Sequence, residues 1–313
     1  MPFFSVVIAS YNHARYVRRQ VESILGQTFQ DFEVVAVDDG STDRTADILE
    51  EYAPRVRVIR QENRGVVEAR MRGIRETTGE AVCFVDSDDW IEPRRLELQA
   101  AVFRRDPAVG LVYGDARIVD PEDRDLGLFS EIYRPWGGDV AVELLRRYCF
   151  VPAIAASFRR RFFEETGGFW GPGPLSDYLK WIEIAEVSRV VRQGEVLGAW
   201  RRHPGSVSLL ADREKMYGDL VAALEELRGR WPALSARTGF ASCERYARAW
   251  VAVGFGAARA GDFGKAREYF GRAVGTCPWM VHGWAGGLLS LPPASWVSRR
   301  VFGELHRLLF PWE

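Results

Sequence analysis

Along its first third the chain alternates between short apolar runs and stretches with helical periodicity. Ser5-Val6-Val7-Ile8-Ala9-Ser10 is a β-branched run, and Phe32 to Val37, Val56 to Ile59 and Ala81 to Val85 repeat the pattern. Apolar runs of this length bounded by polar breaks read as buried strands. Between them Val17, Val21, Ile24 and Leu25 recur at helical spacing, and Ile48 and Leu49 follow the cap-type residues Ser41, Thr42 and Asp43. Gly65 to Thr77 predicts a third helix, and another begins after Pro93. Strands alternating with helices predict βαβ units. The expected fold class is therefore α/β, a Rossmann-like, mostly parallel mixed sheet with flanking helices. Asn12, Asp39, Asn63 and Asp86 all fall just past strand ends, and polar groups on such loops converge on one rim of an open sheet.

The pattern loosens after the fourth strand. Val109 to Val119 predicts a strand and Pro121 to Gly138 a polar loop. Gly167 to Pro174 is too rich in glycine for regular structure; Ser176 is then expected to cap a helix carrying Leu179, Ile182 and Ile184. Short strands are expected around Val190 and from Val196 to Trp200. Beyond about residue 210 helical signal dominates, which divides the chain into 1–210 and a helical C-terminal extension, 211–313. Within the extension, Ala260 to Arg267 resembles the turn of a tetratricopeptide-like helical hairpin, but a solenoid needs at least about three such units. Val297 to Phe310 is compatible with an amphipathic helix bearing Arg299, Arg300 and Arg307.

Composition narrows the classes. The 313 residues are 47% hydrophobic and 27% charged, ordinary for a globular protein, and the net charge of −1 gives a nucleic-acid partner no overall support. That charge is uneven: residues 1–210 carry 28 Lys/Arg and 33 Asp/Glu, and residues 211–313 carry 14 and 10. The basic extension makes peripheral contact with the inner face of a membrane an expectation to test, against the plainer one of a surface helix packed on the domain. Cys83, Cys149, Cys243 and Cys277 are scattered without a C-x-x-C pair, which points to a reducing, cytoplasmic setting. The first strand begins at about Ser5, too early for a signal peptide, and no apolar run is long enough to span a bilayer.

Candidate chemistry concentrates in Asp86-Ser87-Asp88-Asp89, at the carboxyl end of the Ala81 to Val85 strand. Carboxylates crowded there repel one another. A divalent cation would relieve that repulsion, and Mg²⁺ typically combines one or two carboxylates with substrate phosphates. The competing reading is a solvated turn capping the next helix.

Taken together, these residues resemble glycosyltransferase family 2, whose fold is termed GT-A. The resemblance rests on Ser5 to Asn12 with its Ala9, Tyr11 and Asn12, on Gln27-Thr28-Phe29, and on Phe32-Glu33-Val34. It continues through Val37 to Asp43, Asn63, Gly65, Ala69-Arg70, Gly73-Ile74 and the Asp86 to Asp89 element, and more loosely to about residue 210. It implies inverting transfer of a sugar from a nucleotide-diphosphate donor, UDP or dTDP being favoured, to the hydroxyl of a glycan or lipid-linked acceptor. Self-association as a homo-oligomer stays open. Tyr11 would lie near the base and Asp39, of the Asp38-Asp39 pair, would accept an N–H from it; uracil and thymine offer N3–H and guanine N1–H, so Asp39 alone does not choose among them. Arg70 and Asn63 would lie near diphosphate or ribose. Asp86 or Asp88 would touch ribose, and Asp88 or Asp89 would hold Mg²⁺ or Mn²⁺. The general base implied is Asp177, which follows Gly167-Gly168-Phe169 as in the family, with Glu164, Glu165 and Glu183 next in line. His203 and Ser206, in Arg201 to Ser208, match a late element expected to fold over the diphosphate. Two rivals remain. A sugar-phosphate nucleotidyltransferase would carry a glycine-rich loop where Tyr11-Asn12-His13 stands. A non-catalytic nucleotide-sugar binder or scaffold would not need Asp39, Asp86, Asp88, Asp89 and Asp177 all intact.

Overall fold

The structure, a computed structural model, describes residues 1–206, 213–238 and 240–278. The predicted helix over Val297 to Phe310, and Val207-Ser208 of the late element, lie outside the described residues. The chain divides into two units, residues 1–144 with 149–209, and residues 145–148 with 210–313.

In the first unit the predicted alternation appears as β1 (Phe4–Ser10), α1 (Val17–Leu25), β2 (Phe32–Asp38), α2 (Thr45–Glu50), β3 (Arg57–Arg60), α3 (Val66–Arg75) and β4 (Ala81–Phe84). There follow β5 (Trp90–Ile91), α4 (Arg95–Arg105), β6 (Val109–Val119), β7 (Asp125–Leu128), α5 (Phe129–Ile132) and α6 (Val140–Arg146), the last shared between the units. The first unit closes with β8 (Ala156–Arg159), α7 (Arg160–Glu165), α8 (Ser176–Val187) and β9 (Arg189–Arg201). The sheet runs β3-β2-β1-β4-β8-β6-β9-β5, with β7 paired to β6. The β3-β2-β1-β4 half is parallel, as βαβ units require; β8 enters antiparallel between β4 and β6. The sheet is thus mixed.

Alternation along β1 sends side chains to two helical layers. Phe4, Val6 and Ile8 join Val17, Val21 and Ile24 of α1 and Leu96, Ala100 and Phe103 of α4 in the main core. On the other face Gly73 of α3 lies so close to Val7 that a Cβ there would overlap the valine. The same face of β4 and β8 carries an aromatic cluster: Phe158 lies 5.0 Å from Phe163 and 5.8 Å from Trp181, and Phe169 lies 5.3 Å from Phe84. Fully burying each such ring stabilises by about 1.5–3 kcal/mol. This packing seats α7 and α8 against the strand that leads into Asp86.

Three expectations need correction. Pro121 to Gly138 contains β7 and the single-turn α5, too short to show a period. The two strands expected near Val190 and Val196 are one strand, β9, whose irregular register against β6 breaks the alternation. Ser176 does not cap α8: it is the helix's first residue, and its Oγ donates backward to Gly173 O at 2.9 Å.

The second unit contains α9 (Arg213–Arg230), α10 (Pro232–Thr238), α11 (Phe240–Ala260) and α12 (Phe263–Thr276). The last two form the expected hairpin. Asp262 accepts Lys265 N–H at 3.0 Å to start α12, and Phe255 and Phe270 pack among alanines between the helices. Among the described residues no helix is long and apolar enough to cross a membrane.

Candidate functional site

The rim formed by the ends of β1, β2 and β4 gathers the first set of residues. Ala9 packs beneath it against the buried Val35, Val37 and Ala69. Tyr11 stands 45% exposed at the strand exit. Asn12 adopts φ +55°, one of the few L residues to do so routinely, and its Oδ1 accepts from Thr42 N at 2.7 Å and Asp43 N at 3.3 Å. Asn12 therefore shapes the β2–α2 loop. Asp38 Oδ2 accepts Ser41 N at 3.2 Å; its Oδ1 is buried without a partner, as is Oγ of Ser10, its neighbour across the ladder.

Asp39 is more heavily engaged than a base-reading carboxylate alone would be. Its Oδ1 accepts Gln61 Nε2 at 2.7 Å and Arg64 N at 2.9 Å, and its Oδ2 accepts Gly65 N at 2.7 Å. Gly65 is the N-cap of α3, with φ +87° and no side chain, and Asp39, just past β2, accepts its N–H and that of Arg64 at the helix entrance. A carboxylate offers about four acceptor positions, and one at Oδ2 is left. Asn63 is exposed beside this loop.

The crowded carboxylates of the Asp86 to Asp89 turn separate into three environments. The turn is pinned at both ends, by β4 in the parallel half and by β5, which pairs with β9, and Asp89 N–H closes it onto Asp86 O at 3.0 Å. Asp86 points to Arg70. Asp88 Oδ2 lies 3.0 Å from His203 Nε2. Burial lifts the Asp88 carboxyl, but the hydrogen bond from His203 and the two nearby imidazoles outweigh it and bring it below its usual range. Asp89 turns inward to Arg201 N–H at 2.7 Å; burial first, then Asp88 and Asp86, hold it well above the usual carboxylate range. Repulsion in the turn is thus eased by an arginine at Asp86, a histidine at Asp88 and a raised proton affinity at Asp89.

The second half contributes Asp177 through the Gly167-Gly168-Phe169 segment. Gly167 and Gly168 both take positive φ, +80° and +76°, which ends α7 with Gly168 N–H on Phe163 O at 3.0 Å. That turn drops Phe169 onto Phe84 and Phe163. The chain then rises through a 3-10 turn, Gly173–Leu175, into α8, whose first turn carries Asp177. Asp177 Oδ1 accepts Arg70 Nη1 at 2.6 Å. Burial lifts its carboxyl, Arg70 pulls it back and Asp86 pushes it up, with a net rise. Among the alternatives, Glu183 is fully buried against Lys180 at 2.6 Å, and Glu164 is an exposed partner of Arg160 at 4.0 Å.

His203 and Ser206 form a compact turn. Ser206 Oγ accepts His203 N–H at 3.0 Å, and Gly205 N–H donates to His203 Nδ1 at 3.2 Å, which leaves the ring proton on Nε2, facing Asp88. Sequence reasoning misses the residue that completes this corner, His13, and expects Ser87 among the nucleotide-sugar-binding residues of the motif. His13 Nδ1 lies 2.6 Å from Ser87 Oγ, and one ligand atom each of His13, Asp88 and His203 falls within 4.8 Å of the others. Arg201 was missed too. It is buried, bonds Asp88 O at 2.8 Å and Asp120 O at 3.2 Å, and lies over the rings of Tyr16 and Trp90. No local signal marks His13, and the late element that begins at Arg201 assigns that residue no role of its own.

Two imidazoles and one carboxylate can hold a divalent ion once the Nε2 proton of His203 is displaced. A set with two nitrogens suits a first-row transition ion better than Mg²⁺, which prefers oxygen.

A parallel half-sheet with carboxylates at its rim, joined through an antiparallel strand to a helix that presents one more acid, is the GT-A architecture. The family model for glycosyl transferase family 2 matches residues 5–167, and the chain belongs to that family. Chondroitin synthase of Escherichia coli is 44% identical over 125 residues, covering 39% of this chain and 18% of that one. The chain spans about half or less of the curated relatives it matches. Among solved structures, S. aureus TarS (residues 1–349) in complex with UDP-GlcNAc has a TM-score of 0.70 at 18% identity, over 97% of this chain and 91% of that one. The mannosyltransferase PcManGT of Pyrobaculum calidifontis, in complex with GDP-Man and Mn²⁺, has a TM-score of 0.56 at 20% identity, over 98% and 87%. These two likenesses concern the fold.

Proposed function

We propose that this protein transfers a sugar, with inversion, from a nucleotide-diphosphate sugar to the hydroxyl of a glycan or lipid-linked acceptor. The observation that carries the reading is the meeting of Asp86, from the donor rim, with Asp177, from the acceptor half, on one arginine. Asp177 is the general base: its carboxylate accepts the acceptor's hydroxyl proton as the oxygen attacks the anomeric carbon from the face opposite the leaving diphosphate. Burial raises its proton affinity, which suits a base. The remaining acceptor position on Asp39 fits a single base N–H, such as N3–H of uracil or thymine, with Tyr11 alongside. Asp38 and Asn12 shape that rim, and Asn63 and Ser87 border it. UDP-GlcNAc in TarS and the glycan product named for the Escherichia coli relative support a UDP-sugar donor and a glycan acceptor.

His13, Asp88 and His203 would hold the divalent ion, with Mn²⁺ the better fit and Asp89 behind them as support. When bound, such an ion neutralises charge on the diphosphate as a Lewis acid. The turn from His203 to Ser206 sits at that corner and is positioned to border the diphosphate. The test is a panel of nucleotide-sugars in which release of nucleotide is followed with and without Mn²⁺, for the parent protein and Asp177→Asn. Release by the parent from one donor, lost in Asp177→Asn while nucleotide still binds, supports the proposal; equal release by both refutes the assignment of the base.

A further inference from the structure

Arg70 is 5% exposed, yet it serves two carboxylates from opposite halves of the domain. Its Nη2 lies 2.7 and 2.9 Å from the two oxygens of Asp86, and its Nη1 lies 2.6 Å from Asp177 Oδ1. The guanidinium carbon lies 5.1 Å from the Phe84 ring centre, and Nε is buried without a partner. Among the described residues no other basic side chain pairs with Asp86 or Asp177. Two other charged groups of α8 are turned elsewhere: Lys180 bonds Glu183 and Thr166.

We infer that Arg70 is a positioning residue for the transfer, a strut that holds the Asp177 carboxylate in place against Asp86 and not a ligand of the donor. The inference rests on the reading of Asp177 as the base. Nη1 and Nη2 are both directed at these two acids and Nε is buried, which leaves only the second Nη1 proton to offer a phosphate. A guanidinium pairs in the plane of its fork, so it sets the direction of each carboxylate as well as its charge. Phe84 backs the guanidinium, and the Phe84–Phe169 contact ties that floor to the segment leading into α8. Geometry at the base is therefore transmitted through Arg70 from the donor strand. The charged groups facing Asp177 are Arg70 from α3 and Asp86 from β4. Without Arg70 only burial and a like charge act on Asp177, both of which favour its protonated form.

The test uses full-length protein labelled with ¹³C at the aspartate carboxyls. The Asp177 resonance is assigned by its loss in Asp177→Asn and titrated in the parent, Arg70→Lys and Arg70→Met; binding of UDP is measured by calorimetry on the same samples. The expected result is a titration midpoint for Asp177 that moves up by roughly one to three pH units in Arg70→Met and less in Arg70→Lys, with UDP affinity changed less than about threefold. Asp86→Asn, which removes the like charge and leaves Arg70 to Asp177, should move the midpoint down; this arm decides should Arg70→Met not fold. An unmoved midpoint in folded variants overturns the strut, and a tenfold loss of UDP affinity in Arg70→Lys shows a donor ligand instead. Neither readout requires turnover. Failure of the base assignment appears separately, as undiminished donor turnover in Asp177→Asn.

Discussion

Asp39→Ala should destabilise the fold as well as weaken nucleotide binding. The carboxylate accepts two backbone N–H groups, of Arg64 and Gly65 at 2.9 and 2.7 Å, and one side-chain amide, of Gln61 at 2.7 Å. A hydrogen bond to a charged group contributes about 1.5–3 kcal/mol net when buried, and loss of a helix cap costs about 0.5–2 kcal/mol. The loop from Glu62 to Gly65 is exposed, so water recovers part of the loss, and about 3 kcal/mol is a reasonable total. For a domain of this size that corresponds to a fall in Tm of roughly 6–12 °C. The assay is thermal unfolding of the parent, Asp39→Ala and Asp39→Asn without nucleotide, paired with UDP calorimetry. Asp39→Asn keeps one acceptor oxygen in place and should fall between. A drop below about 2 °C in Asp39→Ala, with UDP affinity reduced tenfold, would show that Asp39 reads the base without supporting α3, and the argument from its three donors would fail.

Three further outcomes are expected. Asp177→Asn should reduce turnover by about 10²–10⁴-fold and leave UDP affinity within a few-fold, checked by steady-state rates and calorimetry. Mn²⁺ should raise the melting temperature more than Mg²⁺ at equal concentration in the presence of UDP, and His203→Ala or His13→Ala should abolish the difference; an unchanged difference would remove both from the ion's ligands. Asp89→Asn should be as stable as the parent or more so near neutral pH in EDTA. The folded-state carboxyl of Asp89 is raised, so the native state binds the extra proton; parent stability falls as pH rises from the ordinary carboxylate range through that raised value. Asparagine still accepts Arg201 N–H, so the variant's Tm should depend less on pH over that window, and parallel curves would refute the assignment.

Much of the molecule is local in origin and therefore legible in the chain. The strand–helix alternation through β4 follows from short continuous apolar runs separated by stretches with a period of about 3.6 residues, both of which are local features of the sequence. The placing of Asn12, Asp39 and Asp86 on one rim follows from parallel pairing, since Ser10 sits opposite Asp38 and Val7 opposite Phe84. The glycines of Gly167-Gly168-Phe169 likewise announce a left-handed turn, because only glycine takes two such positions in succession without strain.

What each carboxylate faces was decided only by tertiary structure. Asp86, Asp88 and Asp89 are indistinguishable by type and nearly so by position, yet one meets Arg70, one His203 and one the backbone of Arg201. Those partners lie 16, 115 and 112 residues away, and Arg70 reaches Asp177 across 107. The antiparallel entry of β8 and the pairing of β5 with β9 bring them there. Local pattern records which face of an element a side chain occupies. Electrostatic environment depends on what the rest of the chain places opposite that face, and so the strand end could be read from sequence while the division of labour among its acids could not.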